Sequence, residues 1–200
     1  SVTPKTLAKG VTAHDASGNP IVGEMPLDKV KYFVTPQMYG AVGDGVTDDT
    51  EAIVAAIAAS NTVYIPEGSY VVSAPIYVGQ GKKLYGDGIK SVLICKSPED
   101  FIMLNAETTL RGLYIQMKSD GYIGNAITVN EKSLATANIN SGNLKIDIDD
   151  IYITWHDYVY TQCANIELSL SDAFIGRSGF WCVGIRNVRA DGKDSARDVG

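Results

Sequence analysis

The chain has 200 residues, of which 45% are hydrophobic and 20% are charged, a globular composition that excludes wholesale disorder. Its formal net charge of -6 and the absence of any basic run argue against a nucleic-acid partner. No stretch approaches the roughly 18 apolar residues that a membrane helix needs, so we expect no membrane insertion.

The first 28 residues differ from the rest of the chain. Short apolar pairs flank the turn signal SGNP at residues 17–20. This pattern predicts a small hairpin-like module over residues 1–28. Such a module cannot form a core alone and must pack against another structure. We place its boundary near residues 26–30, followed by a linker and a helix over residues 29–62.

The stretch YGAVGDGVTDDTEAI, residues 39–53, contains three glycines and four acidic residues ahead of an alanine-rich run. It predicts a tight turn followed by a helix, which is capped either by a box of Asp48 and Glu51 or by Thr47. The acidic residues of the first turn suit the positive end of the helix dipole. The residues given this structural capping role are Gly43, Asp44, Gly45, Thr47, Asp48, Asp49 and Glu51.

Calcium binding is the chemical alternative for the same acidic stretch. Asp44, Asp48 and Asp49 carry the oxygen ligands that calcium prefers, but the spacing lacks the glutamate that ends an EF-hand loop. With only two histidines, the composition also argues against a histidine-rich metal centre. We therefore expect no metal and no cofactor.

From residue 63 to the end, the sequence predicts short strands separated by Gly, Asn, Asp or Ser, without alternating helices. Three of these strands share a motif, LRGLYI, IDDIYI and IRNVRA, with apolar residues at offsets 0, 3 and 5. The motifs start 38 and then 37 residues apart. Near-constant spacing of a strand motif is typical of stacked coils, in which each turn sets the same apolar rows over the previous turn.

Three stretches carry a resemblance to a known family: YGAVGDGVTDDTEAIVAAIAA, VYIPEGSYVVSAPI and KKLYGDGIKSVLI. Together they resemble the entry to a pectate-lyase-like right-handed parallel β-helix, a fold common in bacteriophage tail spikes and in related polysaccharide lyases and hydrolases. The resemblance implies a mainly β, single-stranded helix over residues 63–200, capped at its N-terminal end by the predicted α-helix. We expect the coil to continue beyond residue 200.

The resemblance also implies partners. The N-terminal module is similar to short repeats of phage tail and fibre proteins, which implies that residues 1–28 attach the protein to the tail or baseplate. Spikes of this family are usually homotrimers, and their β-helix faces a host cell-surface polysaccharide. The implied location is the phage tail of the virion, after assembly in the host cytoplasm.

Two segments carry candidate sugar chemistry. In KIDIDDIYI, strand alternation places Ile146 and Ile148 inward, and Asp147 and Asp149 outward, with their Cα atoms roughly 6 to 7 Å apart. Paired carboxylates near this separation serve glycoside hydrolysis, but a solvated strand face that keeps the coil soluble is the preferred explanation. In TWHDYVYTQC, the candidate glycan-binding residues are Trp155, His156 and Tyr158, because sugars bind flat aromatic faces and directional hydrogen bonds. Packing of the tyrosines against a neighbouring coil is the alternative.

The three cysteines, Cys95, Cys163 and Cys182, lack CxxC spacing and a neighbouring base, so we expect buried free thiols. The preferred functional hypothesis is a phage tail spike or fibre that binds a host receptor. The alternatives are a polysaccharide depolymerase acting as a hydrolase or lyase, and a secreted bacterial pectate-lyase-like enzyme. A lyase needs a basic residue to take a proton, and no residue in the sequence is singled out for that role.

Overall fold

The computed structural model of the chain describes residues 12–14, 17–22, 33–118, 124–130, 144–155, 166–169 and 181–191. Across these ranges the chain forms short strands, a 3-10 helix, one α-helix and then a long series of strands. In chain order they are β1 (Thr12–His14), β2 (Pro20–Val22), the 3-10 helix (Pro36–Tyr39), β3 (Asp44–Asp48), α1 (Thr50–Ala59), β4 (Thr62–Ile65), β5 (Gly68–Val72), β6 (Ile76–Val78), β7 (Lys83–Cys95), β8 (Ile102–Leu104), β9 (Thr109–Met117), β10 (Ile127–Asn130), β11 (Leu144–Trp155), β12 (Ile166–Ser169) and β13 (Trp181–Asp191).

Strands β1 and β2 form the hairpin that the SGNP turn predicts. They pair antiparallel, with Thr12 opposite Val22 and His14 opposite Pro20. Gly18 in the turn has a φ of +80°, a left-handed conformation that glycine adopts without steric cost. The predicted hairpin is therefore confirmed. Its domain boundary and its attachment role stay predictions.

The remaining strands build three parallel faces. Strand β4 pairs with the first half of β7, and β5 pairs with the second half, so β7 bends and contributes to two faces. Strands β9, β11 and β13 stack on β7 in the same way. We call the β4 side the first face and the β5 side the second face. The third face consists of β6, β8, β10 and β12.

A chain that returns to the same face once per turn, with parallel neighbours throughout, forms a parallel β-helix. Every pairing described among β3 to β13 is parallel, and no helix is described between successive strands after β4. The parallel β-helix predicted from the strand array and from the resemblance is thus confirmed.

The core consists of apolar rows that run along the coil axis. One row on the first face aligns Val63, Leu84, Leu110 and Ile148 in register, and all four side chains are fully buried. Full burial of such a side chain stabilises the fold by about 1.5–3 kcal/mol. A second-face row aligns Tyr70, Leu93, Ile115 and Ile153, and these side chains are equally buried.

The internal sequence repeat matches the register in which the strands stack. Offset 0 of the motif aligns Leu110 with Ile148 and Ile185. Offsets 3 and 5 align the corresponding residues of β9, β11 and β13 in the same way. The 38- and 37-residue spacings therefore each correspond to one turn of the coil, as the sequence predicts.

Helix α1 covers the N-terminal end of the coil. Its buried residues, Ala52, Ile53, Ala56 and Ile57, join the same hydrophobic core as Val63. The Lys82 ammonium donates hydrogen bonds to the carbonyl oxygens of Ile57 and Ser60, which the end of the helix leaves without intrahelical partners. The predicted helical cap is consistent with this packing. No helix in the described ranges is long and apolar enough to cross a membrane.

Candidate functional site

Asp49, the residue before α1, anchors the acidic stretch from inside the protein, where it is only 2% exposed. Its carboxylate accepts hydrogen bonds from the backbone N–H groups of Val42 at 2.7 Å and Gly43 at 3.0 Å. Its own backbone N–H donates to the carbonyl oxygen of Val71 in β5 at 2.8 Å. Asp49 therefore ties the loop, the helix and the first coil together.

Asp44 lies on the exposed side of the same loop and closes a local turn. Its carboxylate accepts hydrogen bonds from the backbone N–H groups of Val46 at 2.8 Å and Thr47 at 2.7 Å, and from the Thr47 hydroxyl at 2.9 Å. The bond from the Thr47 backbone is the main reason that the pKa of Asp44 lies below its usual value. The carboxylate is thus occupied within its own turn.

Asp48 links the start of the helix to the loop after β5. It accepts hydrogen bonds from the backbone N–H of Thr50 at 3.0 Å and from the Ser73 hydroxyl at 2.5 Å. Partial burial raises the pKa of Asp48, but the hydrogen bonds from Ser73 and Thr50 outweigh it, so the pKa is lowered. This carboxylate also makes its contacts inside the fold.

The predicted N-cap is wrong in detail. The structure places Asp49 at the N-cap, without a capping hydrogen bond from its side chain. The reason is that the Asp49 carboxylate is already used by the loop, while the Asp48 carboxylate accepts from the N–H and hydroxyl of Thr50 and from the Ser73 hydroxyl. The Thr47 hydroxyl donates to a neighbouring carboxylate instead of capping the helix. A capping box of Asp48 and Glu51 therefore does not form.

The glycines of the stretch serve the predicted turn, since Gly43 and Gly45 have φ angles of +70° and +79°. Gly43 also lies against the ring of Tyr70, where a Cβ atom would come within 2.8 Å of a ring carbon. Glu51 is the acidic residue in the first helical turn, where it complements the dipole. Within the described ranges, no group of three or more acidic, histidine or cysteine side chains is arranged to hold a metal ion.

The paired aspartates of β11 lie on the outer side of the first face, but Asp149 is not solvated as predicted. Ile146 and Ile148 point into the core and are fully buried, as strand alternation requires. Asp149 is only 6% exposed. The reason is its position in the stack, between Arg111 of β9 and Arg186 of β13.

These neighbours engage both carboxylates. Arg186 Nη2 lies 2.7 Å from Asp147 Oδ1 and 3.7 Å from Asp149 Oδ2. Arg111 Nε lies 3.4 Å from Asp149 Oδ2, and Asn187 Nδ2 donates to Asp149 Oδ1 at 3.0 Å. A general acid or base needs an oxygen that substrate can reach, and this arrangement occupies the oxygens of Asp149. The catalytic assignment of the pair stays a prediction that the geometry does not favour.

The same register extends into a polar row along the coil. Tyr64, Tyr85, Arg111, Asp149 and Arg186 occupy equivalent positions on five successive strands of the first face. We call these five residues the first-face row. At about 4.8 Å between neighbouring strands, the row is roughly 19 Å long. The arginine side chains remain 60% and 56% exposed, so their guanidinium groups face solvent while they contact Asp149.

The predicted aromatic site is only partly within the described residues. Trp155 is the last residue of β11, is half-buried, and packs against the hydrophobic core. It is thus not the exposed loop residue that the sequence predicts, because the strand extends to include it. His156 and Tyr158 lie outside the described residues.

A groove that the sequence does not predict lies at the bend between the first and second faces. Strand β7 carries extra residues here, because its pairing with β9 shifts between Tyr85 and Gly88 and again between Gly88 and Val92. The extra residues form a bulge in β7. An open groove of about 770 Å³ lies beside it, lined by Gly88, Ile89, Leu113, Asp150, Ile151, Tyr152, Asn187 and Arg189. We call it the bulge groove.

Cys95 is a fully buried free thiol in β7, as predicted. Burial raises the pKa of Cys95 to about 12, which keeps the thiol protonated and unreactive. Cys163 lies outside the described residues, and of Cys182 only the backbone is described. The prediction of buried thiols is therefore confirmed for Cys95.

The fold and the surface together define a class of protein, a helix-capped parallel β-helix with polar and aromatic side chains along its outer faces. The family model described as "Rhamnogalacturonase A/epimerase, pectate lyase-like" matches residues 33–175. The chain belongs to this family. The resemblance found in the sequence is thus confirmed at the level of the family.

Relatives with a matching stretch include phage proteins and a fungal protein. The pre-neck appendage protein of Bacillus phage B103 is 44% identical over 69 residues, 34% of this chain and 8% of the relative. The non-secreted LysM effector LysM19 of Penicillium expansum is 33% identical over 166 residues, 72% of this chain and 12% of the relative. Depolymerase 1 of Klebsiella phage K5-2, specific for capsule K30/K69, is 30% identical over 132 residues, which are 58% of this chain and 16% of the relative. The chain spans less than a fifth of each of these relatives.

Proposed function

We propose that the chain is part of a phage virion appendage whose β-helix binds a bacterial cell-surface polysaccharide. The first-face row carries this proposal, because it sets two tyrosine rings and two exposed guanidinium groups along one line of the coil. An extended sugar chain is recognised by flat aromatic faces combined with directional hydrogen bonds. Similarity to the Bacillus phage appendage and the Klebsiella phage depolymerase supports the virion setting.

Binding is favoured over catalysis for the described part of the first face. The Asp149 carboxylate of the row contacts Arg111, Arg186 and Asn187, and Asp147 on the same strand also contacts Arg186. The two carboxylates are therefore better suited to hold the arginines than to transfer protons. The guanidinium groups remain able to donate to sugar oxygens from their exposed sides.

Depolymerase activity is the second candidate, and similarity over 132 residues to a capsule-specific depolymerase favours it. Its weak catalytic candidates in this chain are Asp147 and Asp149. Asp147→Asn and Asp149→Asn would each abolish turnover if the pair performs the chemistry. Retained turnover in both variants would remove the two aspartates from candidacy.

The test of binding uses the intact chain with purified Klebsiella capsular polysaccharide and Bacillus wall teichoic acid, immobilised beside dextran as a control. We expect saturable binding to at least one bacterial polymer and none to dextran. Products are followed in the same samples as new reducing ends and as unsaturated sugars, which separates hydrolysis from elimination. Absence of binding and of products with both polymers and with capsules of other hosts would refute the proposal.

The partners form a further part of the proposal. We propose a homotrimer that attaches to tail or baseplate proteins through residues 1–28. Light scattering of the intact chain is expected to give three times the chain mass of 21.4 kDa. Removal of residues 1–28 is expected to abolish incorporation into phage particles without changing polysaccharide binding. A monomeric mass, or normal incorporation of the shortened chain, would contradict the respective part.

A further inference from the structure

We infer that the bulge groove is a second glycan contact, which takes one sugar unit of the bound polysaccharide against Ile89 and hydrogen-bonds its hydroxyl groups through Asp150 and Arg189. This inference rests on the proposed function but concerns a different surface. The first-face row lies on the flat of the first face, whereas the groove lies at its bend with the second face.

The bend itself has a regular structural origin. Gly112, Asp150 and Asn187 occupy the same position in β9, β11 and β13, and all three have positive φ angles, from +51° to +65°. A left-handed residue turns the strand from one face to the next. Asp and Asn tolerate this conformation better than most other non-glycine residues. Their polar side chains are thereby placed at the corner of the coil.

The bulge wall is held in place by close backbone packing. Gly86 in β7 lies so near Gly112 that a Cβ atom on Gly86 would be 2.5 Å from the Gly112 carbonyl oxygen. The buried Ser91 hydroxyl accepts a hydrogen bond from the Asp87 N–H and donates one to the Ile65 carbonyl oxygen, both at 2.7 Å. Such anchoring reduces the conformational entropy that a ligand would lose on binding.

The anchored bulge carries one largely exposed apolar side chain, that of Ile89. Ile89 is 71% exposed, although its neighbours in the bulge are fixed. The groove lining also includes Tyr152, whose ring packs against Tyr114 with 4.8 Å between ring centroids. An exposed isoleucine and a tyrosine ring that line one groove provide apolar surface for the C–H face of a sugar.

The charged side chains of the groove lack partners within the described part of the chain. Asp150 and Arg189 are both exposed, and neither makes a hydrogen bond or ion pair with another described residue. This differs from the first face, where Asp149 and Arg186 engage each other. A carboxylate that accepts and a guanidinium that donates, both free and both at one groove, match the hydroxyl groups of a sugar.

The occupant we commit to is a sugar unit and not a metal ion or a peptide. A groove with a single carboxylate and a guanidinium is a poor site for a cation, because it offers few oxygen ligands and the arginine charge opposes the ion. The groove is open and lined by a few polar groups and a small apolar surface, which is too little for a stable protein interface. A polymer already held by the first-face row would contribute the remaining affinity through its high effective concentration.

The test compares binding of Klebsiella capsular polysaccharide and Bacillus wall teichoic acid to the intact wild-type chain and to groove variants. Ile89→Ala removes the apolar contact, Arg189→Gln removes the donor, and Asp150→Asn keeps a residue that tolerates the left-handed conformation. The matched controls are Val46→Ala, an aliphatic residue at 84% exposure near the cap, and Lys96→Gln, an exposed cation at the end of β7. All five residues are exposed, so we expect unchanged unfolding midpoints.

Arg189→Gln and Asp150→Asn are each expected to weaken binding about tenfold, the loss typical of a hydrogen bond to a charged group. The controls are expected to bind like the wild type. Wild-type affinity in all three groove variants would overturn the inference and leave the proposed function intact. Absence of wild-type binding to both polymers and to capsules of other hosts would overturn both. A change in oligomeric mass in Ile89→Ala, without a change in affinity, would identify a contact between chains and also overturn the inference.

Discussion

Replacing Asp49 tests the claim that the acidic stretch is structural. Asp49 is 2% exposed and accepts two backbone hydrogen bonds, at 2.7 and 3.0 Å. A hydrogen bond to a charged group contributes about 1.5–3 kcal/mol. Because Val42 is exposed and Gly43 is half-buried, we expect water to replace the lost acceptor, and we take the lower value for each bond. Asp49→Ala is therefore expected to lower the free energy of unfolding by about 3 kcal/mol.

The assay is urea unfolding followed by circular dichroism, with Glu51→Ala as the matched control. Glu51 is an exposed acidic residue two positions further on, and its dipole contribution is under about 1 kcal/mol. Asp49→Asn is expected to fall between the two, because its amide oxygen can still accept one N–H. Equal stability of Asp49→Ala and Glu51→Ala would refute the reasoning. A calcium-dependent rise in the wild-type unfolding midpoint would favour the ion-binding alternative instead.

Three further predictions concern the coil and its cap. Gly112→Ala is expected to destabilise the protein by about 1–3 kcal/mol more than Gly81→Ala. Both glycines have positive φ angles, but of the two only Gly112 lies so close to backbone that a Cβ atom would come within 2.6 Å of it. Equal losses of stability in urea unfolding would contradict this prediction. The Thr47 hydrogen bonds lower the pKa of Asp44 below 3.8, so its stabilising contribution is present above that pH and is lost as the pH falls through the lowered folded pKa. Asp44→Asn should therefore flatten the acid limb of the unfolding profile, and an unchanged limb would count against the turn. Cys95, with a thiol pKa of about 12, should resist iodoacetamide in the native protein and react in urea, as read by peptide mass spectrometry, and rapid native labelling would show that the thiol is accessible.

The coil was predictable because its apolar rows leave a repeat in the sequence. Leu110, Ile148 and Ile185 align at one offset, and Leu110 and Ile148 are fully buried, because each turn sets the same apolar position over the previous one. The helix was equally visible, since Ile53 and Ile57 lie four residues apart and both are buried. Local period and burial determine these features, so the sequence alone reveals them.

The arrangement around Asp149 was not predicted, although the repeat contains the signal for it. At offset 1 the three motifs carry Arg111, Asp149 and Arg186, which stack as neighbours and bury the carboxylate. The alternation of side chains within one strand predicts only that Asp149 points outward. Its burial depends on the adjacent turns, which lie 37 and 38 residues away in the chain. Reading the polar offsets along with the apolar ones would have shown the contact.

The bulge groove could not be predicted from the sequence, because no repeat marks it. Its wall consists of residues that interrupt the pairing of β7, so no repeat predicts it. The role of Asp49 was not predicted for a similar reason. Its carboxylate binds the backbone N–H groups of residues 42–43, and helix-capping preferences do not predict that contact. Both features depend on contacts that local sequence patterns do not encode.

The most direct test of the central claim is a side-by-side measurement of polysaccharide binding in two sets of variants. One set changes the exposed acidic residues of the capping stretch, Asp44→Asn and Glu51→Gln, and the other changes Arg111→Gln and Arg186→Gln on the first face. If the coil surface binds the polymer and the acidic stretch only builds the cap, the first set keeps wild-type affinity and the second loses it about tenfold. Loss of binding in the acidic set, with full binding in the arginine set, would contradict that claim.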